Sequence, residues 1–277
     1  MRTSFEGLKL QSSVTVSAVA RETRADLPPA LPPETRPVGQ LIAETFRFYG
    51  DHFWPSIVLG VPPAVVDGIL FPELSTSNRI AATFTLLPVL LGAAYVRAVW
   101  LVTAPHAPDR RRLAWAFIAA LVLFIPFPLL ANIYLIPAAI WLALFSLGVP
   151  AALVEGTGPW ASLKRSLTLS LADFVHALGS AAAFFLLVFF GQIGARIALH
   201  VGGDISARSA VVVADLAFVP VLFLGLAMLY FDQAARVDSG TPTRRSRHAD
   251  VHPALEADRS GRADAEVEPG TATRGES

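Results

Sequence analysis

The stretch LAWAFIAALVLFIPFPLLANIYLIPAAIWLALFSLGVPAALV, residues 113–154, decides the fold. It runs for 42 residues without an Asp, Glu, Lys or Arg. As one helix it would extend about 63 Å at 1.5 Å per residue. A bilayer core is only about 30 Å thick, so the run holds two membrane spans and a tight turn. Pro126 and Pro128, followed by Asn132, mark the break, because proline removes a backbone donor and clashes with the preceding turn. Pro137 falls in the first turn of the next span, where it is tolerated.

Working outward, the apolar stretches place six spans near 54–72, 80–102, 113–130, 134–153, 174–200 and 209–231. Pro55, Pro62 and Pro63 are expected to bend the first. Two further segments are amphipathic. In 38–50, Val38, Leu41, Ile42, Phe46 and Tyr49 follow the helical period, with Gln40, Glu44 and Arg47 elsewhere on the wheel. In 156–173, Pro159 suits a first helical turn, and Trp160, Leu163, Leu167, Leu171 and Phe174 keep helical spacing while Lys164, Arg165 and Thr168 face elsewhere. The expected fold is an all-α membrane protein, a six-transmembrane-helix bundle with two short interfacial amphipathic helices.

Charge follows the same partition. The chain of 277 residues carries 22 basic and 22 acidic side chains. Twelve of these charges lie in residues 1–52, 17 in residues 53–235 and 15 in residues 236–277. The domain reading is a disordered tail over 1–36, a membrane domain over 37–235 and a disordered cytoplasmic tail over 236–277. The proline-dense Leu27-Pro28-Pro29-Ala30-Leu31-Pro32-Pro33 suits extended chain. Ala18-Val19-Ala20 mimics a cleavage site, but Lys9, Gln11, Ser12 and Ser13 interrupt any apolar core before it. Zero net charge argues against a basic nucleic-acid binder. The absence of cysteine excludes disulfides, thiol nucleophiles and thiolate metal sites.

With the N-terminus inside, the inner flanks hold Arg36, Arg47, Arg110, Arg111, Arg112, Lys164, Arg165, Arg236, Arg244, Arg245 and Arg247, against Arg79 and Arg208 outside. That sidedness predicts both termini in the cytoplasm of a bacterial inner-membrane protein. Lys164, Arg165, Arg244, Arg245 and Arg247 are candidates for contact with anionic lipid headgroups. Tyr95, Trp100, Trp54 and Trp160 fit an interfacial aromatic belt.

Charges at membrane depth are costly and informative. Asp67 lies in the first span, Arg196 in the fifth and Asp215 in the sixth. Gln192, Arg196 and His200 share one helical stripe. The expectation is an outward polar cluster of Asp67, Gln192, Arg196 and Asp215, with Arg196 pairing one or both aspartates. Such a cluster either fixes helix packing or lines a solute or proton route. Arg97, near the inner end of the second span, either snorkels to the headgroups or pairs with Glu155.

Catalytic templates fail. There is no H-E-x-x-H, no G-x-S-x-G and no phosphate-binding G-x-x-x-x-G-K-[ST]. His248 and His252 fall in the tail, so no metal site and no cofactor are expected. Gly202-Gly203-Asp204 follows Val201 and lies in a loop, so it is a chance match to an intramembrane protease signature. Gly191 with Ala195, Gly194 with Ala198, and Ala198 with Gly202 give small residues at four-residue spacing, suited to helix packing or self-association.

Three segments carry a resemblance. Arg36-Pro37-Val38-Gly39-Gln40-Leu41-Ile42 with Phe46-Arg47-Phe48-Tyr49 is similar to the leading helix of a bacterial membrane family. Pro150-Ala151-Ala152-Leu153-Val154-Glu155-Gly156 with Leu163-Lys164-Arg165-Ser166-Leu167-Thr168-Leu169 resembles its central elbow, and Leu229-Tyr230-Phe231-Asp232 with Arg236 its exit. That family is the membrane domain attached to some glycerophosphoryl diester phosphodiesterases, also found as stand-alone integral membrane proteins. The chain departs from the pattern at Gly50-Asp51-His52, at Ser170-Leu171-Ala172-Asp173 and at Gln233-Ala234-Ala235. The resemblance implies no phosphodiesterase activity, because that chemistry belongs to a separate barrel of about 250 residues. The expected function is non-enzymatic: a membrane module that organises or senses lipid or protein partners. The alternative is a small transporter or channel using Asp67, Arg196 and Asp215.

Overall fold

A computed structural model describes residues 32–103, 108–133, 135–199 and 204–239. Among them every regular element is a helix. Six helices are long and apolar enough to cross a membrane: Phe53–Glu73, Thr76–Thr103, Arg110–Ala131, Leu135–Val154, Phe174–Ala198 and Arg208–Asp238. The chain is a multi-pass membrane protein. Its outward face agrees, since Trp54 is 76% exposed and Ile136 73%. A surface studded with large apolar side chains suits lipid rather than water as its surroundings.

An even number of spans brings both ends of the chain to one side, termed here the tail side; the opposite side is the far side. Both amphipathic helices lie on the tail side, as Val38–Asp51 and Pro159–Ala172. The leading helix buries Leu41 and Thr45 against the bundle, and the Thr45 hydroxyl returns to the Leu41 carbonyl at 2.8 Å.

The elbow helix differs from the expected apolar docking face. It buries a serine ridge, Ser162, Ser166 and Ser170, beside Leu163 and Leu169, and leaves Trp160 and Leu171 exposed. The reason lies in the fourth span, which breaks at Ser146 and Leu147 before Pro150. The break withdraws helical donors from several carbonyls. Ser170 donates to the Ala143 carbonyl and Ser166 to that of Leu144, each at 2.6 Å. The buried Tyr95 hydroxyl donates to the Ser146 carbonyl at 3.0 Å, which Pro150 cannot serve. The elbow thus repairs a broken span.

The 42-residue run divides as expected, with the break distributed over two places. Pro126 sits in a kink between helical pieces ending at Phe124 and starting at Phe127, and the helix continues to Ile133 before the connection. Trp141 Nε1 of the next span donates to the Leu123 carbonyl at 2.9 Å, clamping the kink. The first span is the most broken. Its prolines divide it into short α pieces, a 3-10 turn at Val58–Gly60 and a π turn at Val66–Leu70.

The sixth span runs through the middle of the bundle, with Val221 to Ala227 continuously buried. The first span lies directly on it. A Cβ on Gly60 would stand 2.5 Å from the Asp215 carbonyl oxygen and 2.7 Å from Leu216 Cα, and one on Gly68 would strike Val212. Only glycine permits that approach, and it brings the π turn carrying Asp67 to the stretch of the sixth span carrying Asp215.

Candidate functional site

A cavity of about 500 Å³ occupies the far half of the bundle. All six spans contribute to its wall, from Pro63 and Asp67 in the first to Asp215 and Val219 in the sixth. Six of its lining residues are phenylalanines. Four of these form a connected aromatic surface: Phe223 to Phe124 at 5.8 Å between ring centroids, Phe124 to Phe127 at 6.2 Å, and Phe127 to Phe185 at 5.7 Å. Toward the tail side the cavity ends on Phe124 and Phe223. Tyr95 packs against both, with centroids at 6.0 and 5.5 Å, and all three are buried.

The polar lining is sparse: Asp67, Thr83, Gln192 and Asp215. The Thr83 hydroxyl is committed to the Arg79 carbonyl of its own helix at 2.8 Å. Gln192 Nε2 donates to Asp215 Oδ1 at 2.7 Å. Asp215 is fully buried, and its Oδ2 has no hydrogen-bond partner among the described residues. Neither Asp67 nor Asp215 forms an ion pair among the described residues.

Three of the four residues expected to cluster therefore share one cavity. Arg196 stands apart. It is exposed, does not line the cavity, and makes no ion pair with either aspartate. Gln192, one turn earlier on the same stripe, occupies the place beside Asp215. His200 lies outside the described residues.

The expected pair of Arg97 with Glu155 is not formed. Glu155 accepts from Arg165 Nε at 3.0 Å and from the Tyr230 hydroxyl at 2.9 Å. Arg97 is exposed and sits over the Trp100 ring at 5.0 Å, a cation–π arrangement at the tail-side end of its span. Arg165, expected at headgroups, is thus committed to Glu155. Lys164 remains exposed, with Nζ 5.8 Å from the Trp160 ring. Arg244, Arg245, Arg247, His248 and His252 lie outside the described residues.

A second polar assembly, on the tail side, was not anticipated as a unit. Arg36 Nη1 meets the fully buried Asp232 at 2.8 Å, and Nη2 meets Glu44 at 3.0 Å. Arg236 bonds Asp173 at 3.0 Å and donates to the Arg36 carbonyl at 2.6 Å. The Asp173 carboxylate also accepts from the His176 backbone N–H at 3.3 Å. Both amide atoms of the buried Gln233 and Oδ2 of Asp232 have no partner among the described residues. The one available signal was Asp232 four residues before Arg236 at the end of a span; both arginines counted instead as flanking anchors.

The small-residue stripe divides. Gly191 faces Phe218 of the sixth span closely enough that a Cβ would stand 2.5 Å from the ring, whereas Gly194 has open space. No group of three or more His, Asp or Glu residues that could hold a metal occurs among the described residues. Comparison with protein-family models, curated proteins and solved structures finds no match.

Proposed function

We propose that this chain is a non-enzymatic module of the bacterial cytoplasmic membrane, with both termini cytoplasmic, that senses or organises lipid or protein partners. The observation that carries this reading is the packed middle of the bundle. A transporter or channel needs a polar path through the bundle, and here the buried rings of Tyr95, Phe124 and Phe223 pack against one another. A cavity confined to one half of the bundle is suited to occupancy rather than passage.

Two features support the reading from the tail side. The amphipathic leading and elbow helices lie where a membrane interface would be, and Trp160 and Leu171 offer apolar side chains outward. The segments that resemble the glycerophosphoryl diester phosphodiesterase membrane domain also converge there. Arg36, Glu155, Arg165, Tyr230, Asp232 and Arg236, all within those segments, make the tail-side contacts to one another. That convergence fits membership of the same stand-alone membrane family, with the resembling residues serving as scaffold. The transporter reading is favoured by a different observation, the unpaired carboxylates in the cavity, and keeps its place as the alternative.

The natural absence of cysteine makes the choice testable. Single cysteines are introduced at Thr83 in the cavity wall, at Leu226 below the aromatic floor and at Ser239 on the tail side. They are then probed with a membrane-impermeant maleimide from each face. The expected pattern is Thr83→Cys labelled only from the periplasmic face, Ser239→Cys only from the cytoplasmic face, and Leu226→Cys from neither. Labelling of Thr83→Cys from both faces would mean alternating access and would favour the transporter.

A further inference from the structure

We propose that the far-side cavity binds an organic cation, an ammonium-type group on an apolar body, with Asp215 as its counter-ion. This rests on the reading of the cavity as a site for occupancy rather than passage and names the class of its occupant.

The argument starts from the unpaired atom. Asp215 is fully buried, and one carboxylate oxygen already accepts from Gln192 at 2.7 Å. Its second oxygen has no partner among the described residues, although the residue lines the cavity. A buried carboxylate left half-satisfied is costly unless a further donor or positive charge arrives. Gln192 cannot supply that charge. Its amide is a neutral donor, and it fixes the carboxylate's orientation instead.

Charge sets the sign of the guest. Asp67 and Asp215 are the acidic residues of the lining, and no arginine or lysine lines it. The rim pair of Arg208 with Glu73, at 2.8 Å, is neutral in sum. Such a lining favours a positively charged guest over an anion, and its few oxygens are too sparse for a divalent metal.

The wall sets the chemical type. Apart from Asp67, Thr83, Gln192 and Asp215, the lining is apolar, with six phenylalanines among it. Aromatic faces attract cations through the ring quadrupole, and aromatic enclosures are a recurrent solution for alkylated ammonium groups. A small hydrated inorganic ion would lose its water to such a wall with little return. An apolar body carrying the charge gains from both the rings and the carboxylate. The volume of about 500 Å³ lies within the range of sites for compact organic molecules.

The test uses the purified full-length chain in detergent and tetraphenylphosphonium as probe, with tetraphenylborate as the anion of nearly the same shape. Equilibrium dialysis should show saturable binding of the cation near one per chain and no competition by the anion. Asp215→Asn should weaken cation binding by about tenfold or more, Asp67→Asn by less, and Ala131→Phe should weaken it by narrowing the cavity. Should Asp215→Asn fail to fold, the cation-to-anion preference of the wild type and the weakening in Ala131→Phe decide. Equal binding of cation and anion would overturn the proposal, as would binding that is undiminished in Ala131→Phe or in a folded Asp215→Asn. One-sided cysteine labelling without cation binding would remove this assignment alone. Two-sided labelling would remove the functional reading whatever binds.

Discussion

The two ends of this bundle treat buried charge in opposite ways. On the tail side, four carboxylates meet guanidinium groups: Asp232 and Glu44 share Arg36, Asp173 has Arg236 and Glu155 has Arg165. On the far side, Asp215 is equally buried but has only the Gln192 amide, while Arg196 stays at the surface. Both ends carry acids and arginines, so composition does not separate them. Pairing does. Charges that satisfy one another inside the fold hold helices together, whereas a carboxylate kept short of partners beside a cavity is free to meet something else.

The contrast can be broken most sharply at Arg36. Arg36→Ala strands the Asp232 charge in a fully buried position, and loss of one partner from such a pair costs about 3–5 kcal/mol. The expected result is a steep fall in the folded fraction recovered in detergent, measured by size-exclusion chromatography. The double variant Arg36→Met with Asp232→Leu should regain much of it, because no fully buried charge is then left alone; Glu44, the other partner of Arg36, is partly exposed and keeps its bond from Gln40. Recovery of Arg36→Ala at the wild-type level would mean that the tail-side pairs do not support the fold.

A smaller effect is expected where hydroxyls rather than charges serve the structure. Ser166→Ala and Ser170→Ala each leave a buried carbonyl of the fourth span without its donor, at about 1–3 kcal/mol apiece. Thermal unfolding should show both variants less stable than Thr168→Ala, whose hydroxyl bonds only its own exposed helix at 3.1 Å. Smallest of all is Arg208→Gln on the far-side rim. Its pair with Glu73 is half exposed or more on both partners, so the loss should stay within about 1 kcal/mol and shrink further with added salt.

Much of this architecture was legible in the sequence, for a physical reason. A charge-free run longer than the bilayer must turn, and the placed spans end within about four residues of the helices everywhere but at the end of the sixth, which runs on from 231 to Asp238. The prolines of the first span announced its broken course. Asp67, Gln192 and Asp215 stood out because a polar group at membrane depth needs an explanation. What stayed hidden was direction around the helix axis and contact across sequence. Gln192 and Arg196 share a stripe, but spacing does not say which one a neighbouring helix will meet. Arg36 and Asp232 lie 196 residues apart, beyond any local pattern. The serine ridge of the elbow was invisible because Ser adds no hydrophobic periodicity. Its role depends on carbonyls freed by the break at Ser146 and Leu147 in another helix. Gly60 and Gly68 gave no signal either, although they let the first span reach the sixth.

The most direct test of the account compares the same chemical change at the two ends. Asp215→Asn and Asp232→Asn each remove one buried negative charge with almost no change in shape. Thermal unfolding of both variants in one detergent, without added ligand, should give opposite outcomes. Asp232→Asn should unfold well below the wild type, because Arg36 loses its counter-ion. Asp215→Asn should unfold at or above the wild type, because Asn keeps an acceptor for Gln192 and removes an unpaired charge. Equal destabilisation of the two would contradict the account, since Asp215 would then be as structurally committed as Asp232.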